Sequence, residues 1–230
     1  MEHLAQAFYC VAIDLPGHGA SSKPPADWYT IPRYSHVVCR TIEHLGLAAP
    51  FLLGHSMGGA IAISVAARCD HMLQGLVLVN PAVAELWPTV GPVLLRRAYR
   101  PALALGRSVW PRVSRAMTVT SRFDRRWQPG NVVFQPRLEM ARTTADSALG
   151  SIHALMTSDL TPDLASIECP TLVIVGTRDL AIPPAQGRLA AREIVRARLV
   201  EIPSGHHPYL SHTPDYYAAL DRFLTPKGSS

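Results

Sequence analysis

Short, wholly apolar runs alternate along much of this chain with longer stretches whose apolar residues recur at helical spacing. Phe8-Tyr9-Cys10-Val11-Ala12-Ile13 is a β-prone run that ends at Asp14 and passes into a loop, Leu15-Pro16-Gly17-His18-Gly19. Between Ile31 and Leu47, Tyr34, Val37, Val38, Ile42 and Leu45 recur at helical spacing, and Gly46 stops the pattern. Pro50-Phe51-Leu52-Leu53 predicts a second strand, Met57 to Cys69 a helix, and Gly75 to Val79 a third strand. The rhythm returns later with a strand over Pro170 to Gly176, a helix from Pro183 to Val195, a strand over Arg198 to Ile202 and a closing helix from Thr213 to Leu224. Strands that are apolar throughout and separated by helices predict an α/β fold, with a mostly parallel sheet covered by helices on both faces.

After Asn80-Pro81 the alternation breaks. Prolines at 88, 92, 101, 111, 129 and 136 are expected to cut this region into short helical pieces rich in Trp, Leu and Arg, without a strand. The chain therefore divides into a first part of the core at 1–80, an inserted helical lid at 81–165 and a second part of the core at 166–230.

With 230 residues, 48% of them hydrophobic, one substantial core can be buried. Arg, Asp or Pro interrupts each apolar stretch before it reaches the roughly 18 to 20 residues that a membrane-spanning helix needs. Met1-Glu2-His3-Leu4 has neither the basic nor the apolar part of a secretory signal, so a cytoplasmic protein is expected. Cys10, Cys39, Cys69 and Cys169 show no C-x-x-C pairing and read as reduced core residues. The ten histidines include no H-E-x-x-H pattern, so no metal is expected. The net charge of +5 is concentrated between Pro81 and Ala165, which holds eleven arginines against six acids. These arginines read as the solvated face of lid helices, with weak contact to an anionic surface as the alternative. They lack the interleaved aromatics of a nucleic-acid surface.

Candidate chemistry begins at Gly54-His55-Ser56-Met57-Gly58, a G-x-S-x-G pentapeptide between a predicted strand and a predicted helix. In that setting it reads as a nucleophile elbow, in which glycines two before and two after the serine let strand and helix pass closely. A serine hydroxyl needs a base, and the base needs an acid to fix its tautomer. Asp179 follows the strand ending at Gly176, and His206 follows the last strand, in Gly205-His206-His207. Asp179 has a competing reading as a cap of the helix beginning near Pro183, and His207 competes with His206. His206, directly after the glycine, is preferred. His55 and His18 are assigned no proton-transfer role.

The chain resembles the α/β-hydrolase fold superfamily, specifically its lidded serine hydrolases. The resemblance rests on Asp14-Leu15-Pro16-Gly17-His18-Gly19, the Gly54 to Gly59 elbow, Gly176-Thr177-Arg178-Asp179 and Gly205-His206, in the chain order Ser, Asp, His. It implies Ser56 as nucleophile, His206 as base, Asp179 as acid and the Met57 backbone N–H as an oxyanion donor. Some relatives carry the acid after the strand that here ends at Val79, but that position is Asn80, which cannot ionise. The resemblance also implies a preceding strand and a His-Gly loop that supplies the second oxyanion donor. Glu2 to Phe8 resembles only the end of the helix following that loop. A fragment or a mis-assigned start is therefore expected, with the family's first three strands missing and a gap or a new pairing beside the strand ending at Leu53.

The resulting expectation is hydrolysis of an ester or related acyl compound through an acyl-enzyme, without a cofactor. Trp87, Trp110, Trp127 and Leu94 are expected to wall an apolar substrate pocket. A binding protein with little or no turnover is the alternative, because the oxyanion site lacks one donor. Nicotinamide binding at Gly17-His18-Gly19 is disfavoured, since no third glycine follows and Asp14 precedes the turn.

Overall fold

The computed structural model describes residues 2–84, 91–121 and 141–225. Four parallel strands, β1 (Phe51–His55), β2 (Gly75–Val79), β3 (Thr171–Gly176) and β4 (Ala197–Ile202), form one sheet in that spatial order. Its register is set by Phe51 opposite Gly75, Leu76 opposite Thr171, and Thr171 opposite Ala197. The central strands β2 and β3 are buried at every position, which accounts for their almost wholly apolar sequences, Thr171 excepted, while β1 and β4 are partly exposed.

Alternation along these strands sorts the core into two layers. Leu76, Leu78, Val173 and Val175 face α1 (Ile31–His44) and α2 (Met57–Cys69), together with Ala190 from a helix beyond β3. Val77, Val79, Leu172 and Ile174 face the opposite way, against Tyr216, Leu220 and Leu224 of the closing helix. Helices therefore cover both faces, as the sequence predicts. Burial from Gly59 to Ala66 leaves α2 no solvated stripe, so it sits as a central helix whose apolar residues run all round. At the start of α1, the Thr30 hydroxyl accepts a bond from Arg33 N at 3.3 Å, and Pro32 lies in the first turn.

Between β2 and β3 come α3 (Gly91–Ser121) and α4 (Ala145–Thr157). Leu160 N donates to Val83 O at 2.8 Å, which brings the two ends of this segment together. Instead of the short pieces expected from its prolines, α3 runs through Pro101 and Pro111 without a break. Each proline removes one i to i−4 bond, and packing of α3 on α4 outweighs that loss. Arg107 forms a two-bond ion pair with Asp146 (2.7 and 2.8 Å), and Trp110 Nε1 donates to Thr143 O at 2.9 Å. Trp87 and Trp127 lie outside the described residues, as does the side chain of Leu94.

The first predicted strand does not form. Residues 9–15 carry no ladder, and Tyr9, Val11 and Ile13 are exposed. β1 is an edge strand among the described residues, and no other strand reaches the Phe8–Ile13 segment, so its β propensity has no partner to express it. This is the gap anticipated next to β1. The remaining αβ boundaries shift by a few residues, most at the end of α1, which stops at His44 before Gly46 with φ of 61°.

Candidate active site

The chemistry-bearing residues gather at the carboxyl ends of the strands, where an open parallel sheet forms a crevice. Ser56 directly follows β1, Asn80 directly follows β2, Asp179 lies three residues beyond β3 and His206 four beyond β4. Ser56 has φ of 56°, in the left-handed region that side chains usually avoid. Its N–H donates to Val79 O at 3.0 Å, and its carbonyl receives Gly59 N at 2.9 Å. The turn is thus locked to β2 on one side and to the first turn of α2 on the other. Met57 opens α2, so its N–H has no acceptor one turn back within that helix.

Asp179 and His206 meet. His206 Nδ1 donates to Asp179 Oδ2 at 2.7 Å, which leaves Nε2 as the ring's proton acceptor. The Asp179 side chain has no exposed surface, whereas His206 retains 19%. Asp179 Oδ1 also accepts Ala181 N at 2.8 Å and Ile182 N at 3.0 Å. Asp179 thus ties its own loop rather than capping the helix that begins at Pro184, whose N-cap Pro183 receives no side-chain bond, and the two backbone bonds fix the carboxylate that faces the imidazole. His207 turns elsewhere, towards Tyr209 Oη at 2.8 Å. Among the described residues the Ser56 hydroxyl has no hydrogen-bond partner, His206 included; such contacts commonly tighten only on substrate binding.

Two residues that sequence reasoning set aside hold the His206 loop. His55 Nε2 donates to the His206 carbonyl at 2.7 Å, with the two rings 4.6 Å apart. Asn80 Nδ2 donates to the same carbonyl at 3.0 Å, and Asn80 Oδ1 accepts Gly176 N at 2.6 Å. Buried Asn80, with φ of 43°, thus joins the ends of β2 and β3 to the loop after β4. Its signal in the sequence is an asparagine, the residue besides glycine that best tolerates this backbone region, at the end of an apolar strand. Asn80→Ala is expected to leave the buried Gly176 N–H unpaired and to lower stability by about 1 to 3 kcal/mol, read by urea denaturation. Asn80→Asp retains the acceptor but sets a carboxylate against the His206 carbonyl; a stability equal to wild type for both variants would contradict this tie.

Burial pushes the His55 pKa down to about 4, with His206 and His207 adding to the shift while the bond to the His206 carbonyl and Asp179 oppose it. Its ordinary value is 6.5, so between the two values the unfolded chain binds the extra proton. The contribution is complete above that ordinary value and is lost as pH falls toward about 4, by at most about 1.4 kcal/mol per pH unit. Burial lowers His207 too, which acts in the same direction. His55→Gln keeps an N–H donor and is expected to flatten this part of a stability profile measured by denaturation; an undiminished slope would locate the acid sensitivity elsewhere.

A family model described as the alpha/beta hydrolase family matches residues 1–220. The chain belongs to the α/β hydrolase family. It is 31% identical to the pimeloyl-acyl-carrier-protein methyl ester esterase of Chromobacterium violaceum, over 97% of this chain and 86% of that protein. The crystal structure of a hydrolase from Pseudomonas aeruginosa matches with a TM-score of 0.74 at 28% identity, covering 92% of this chain and 78% of that one. The enol-lactonase of Burkholderia xenovorans matches with a TM-score of 0.67 at 29% identity, over 92% and 79% respectively. These relatives are hydrolases, and membership of the α/β hydrolase family supports a hydrolytic enzyme. Among the described residues no helix is long and apolar enough to cross a membrane.

Proposed function

We propose that this α/β hydrolase cleaves a carboxylic ester or related acyl compound through Ser56, His206 and Asp179. The observation that carries the reading is the bond from His206 Nδ1 to fully buried Asp179 at 2.7 Å, on the same sheet edge as the left-handed Ser56 turn. Asp179 fixes the tautomer in which Nε2 can take the Ser56 proton and stabilises the imidazolium that results. Ser56 Oγ then attacks the acyl carbon, and the Met57 N–H at the start of α2 holds the developing oxyanion. His206 returns the proton to the leaving group, and a water activated by His206 releases the acyl group from Ser56. None of these steps calls for a cofactor.

The segment between β2 and β3 serves as a lid over a small apolar acyl substrate. The backbone bond between Val83 and Leu160 supports its reading as an insertion, and the relatives named for an ester and a lactone support the substrate class. A fluorophosphonate probe tests the assignment directly. Covalent labelling of folded protein at Ser56, absent in Ser56→Ala, is the expected result; no labelling would favour a binding protein that retains the fold without turnover.

A further inference from the structure

Away from the catalytic edge, α1 and α2 bring two thiols together. Cys39 lies on the inner face of α1 and Cys69 is the last residue of α2, and their sulfurs are 2.8 Å apart, one thiol donating to the other. The pair lies in a surface crevice of about 440 Å³ shared with His36, Arg40, Glu43 and Arg68. Cys39 is buried and Cys69 partly exposed, so a small oxidant reaches the Cys69 sulfur first. The sequence reading of both as reduced core cysteines did not include this approach, which the spacing of 30 residues conceals.

We propose that Cys39 and Cys69 form a peroxide-oxidised, reversible disulfide that staples α1 to the far end of the nucleophile helix. The sulfur of Cys69 attacks the O–O bond of a hydroperoxide, forming a sulfenic acid and releasing water or an alcohol. The sulfur of Cys39 then displaces hydroxide from Cys69, the S–S bond forms, and the hydroxide leaves as water with the Cys39 proton. The two thiols lose two electrons and two protons, and the peroxide is reduced. Burial and the neighbouring Cys69 raise the Cys39 pKa to about 12, which disfavours Cys39 as the sulfur that meets peroxide. Ser56 precedes the opposite end of α2, roughly 20 Å away at 1.5 Å per residue, so the bridge stabilises the fold without entering the reaction.

The test is peptide mapping of the full chain after hydrogen peroxide, with alkylation before any reduction. One linked peptide pair joining Cys39 to Cys69 is expected, about 2 Da lighter than its two thiol peptides and lost on treatment with dithiothreitol. Cys10 and Cys169 should remain alkylated. In Cys39→Ser, dimedone should capture Cys69 as sulfenic acid, whereas Cys69→Ser should leave Cys39 alkylated. Full alkylation of both Cys39 and Cys69 after peroxide overturns the proposal, as does a bridge to Cys10 or Cys169 in comparable yield. The wild-type map decides even where a variant does not fold.

Discussion

Ser56→Ala is expected to lower kcat/KM for short p-nitrophenyl esters by about ten-thousand- to a million-fold, with a thermal midpoint close to that of wild type. The two expectations have different origins. Removing the oxygen leaves no nucleophile, and the residual rate over water, about a thousand- to ten-thousand-fold, is what binding and oxyanion donors can supply alone in such enzymes. Stability is spared because the Ser56 hydroxyl has no partner to lose among the described residues, while the bonds that hold the turn run through its backbone N–H and carbonyl. Alanine meets the same strain as serine at φ of 56°. Unchanged ester hydrolysis in a folded Ser56→Ala protein would remove the proposed mechanism. A large fall in thermal midpoint would mean that the hydroxyl is structural.

Legibility in the sequence followed how local each signal is. β2 and β3 were readable because burial on both faces leaves them apolar at every position but Thr171, at the start of β3. Phe8 to Ile13 carried an equally apolar signal, yet a strand needs a neighbour, and propensity alone cannot supply one. The prolines of α3 misled in the opposite direction, since their local cost is outweighed by contact with a helix that begins 24 residues after α3 ends.

The candidate site divides the same way. Ser56, Asp179 and His206 announce themselves because each follows a predicted strand with a recognisable spacing. His55 and Asn80 act on the backbone carbonyl of a residue 151 and 126 positions away, and no local pattern encodes such an approach. Asn80 is informative in this respect. As a position in the chain it only excluded an alternative acid, whereas in the fold its amide ties the ends of β2 and β3 to the loop after β4 that carries His206.

The elbow's two glycines are expected to respond in opposite directions. A Cβ added at Gly54 would overlap the carbonyl oxygen of Gly58 and come within 2.6 Å of the Gly58 carbonyl carbon and 2.8 Å of Gly59 N. All three are backbone atoms of the first turn of α2, so no side chain can swing aside. The helix would have to move off β1 while Ala60 to Ala66 hold it in the core. Gly54→Ala is therefore expected to cost about 3 to 5 kcal/mol, a large share of a typical margin of about 5 to 15 kcal/mol. Gly58, the other glycine of the pentapeptide, meets nothing within 4 Å of an added Cβ, has no positive φ, and lies inside α2. Gly58→Ala should consequently gain about 0.5 to 1 kcal/mol through lower backbone entropy in the unfolded chain. The close approach anticipated for both glycines thus belongs to Gly54 alone, with Gly59 taking the second role, since its Cβ would come within 2.9 Å of Pro81. Parallel urea denaturation of the two variants reads the contrast. Equal destabilisation would show that the motif's second glycine is constrained by something other than the packing of β1 on α2.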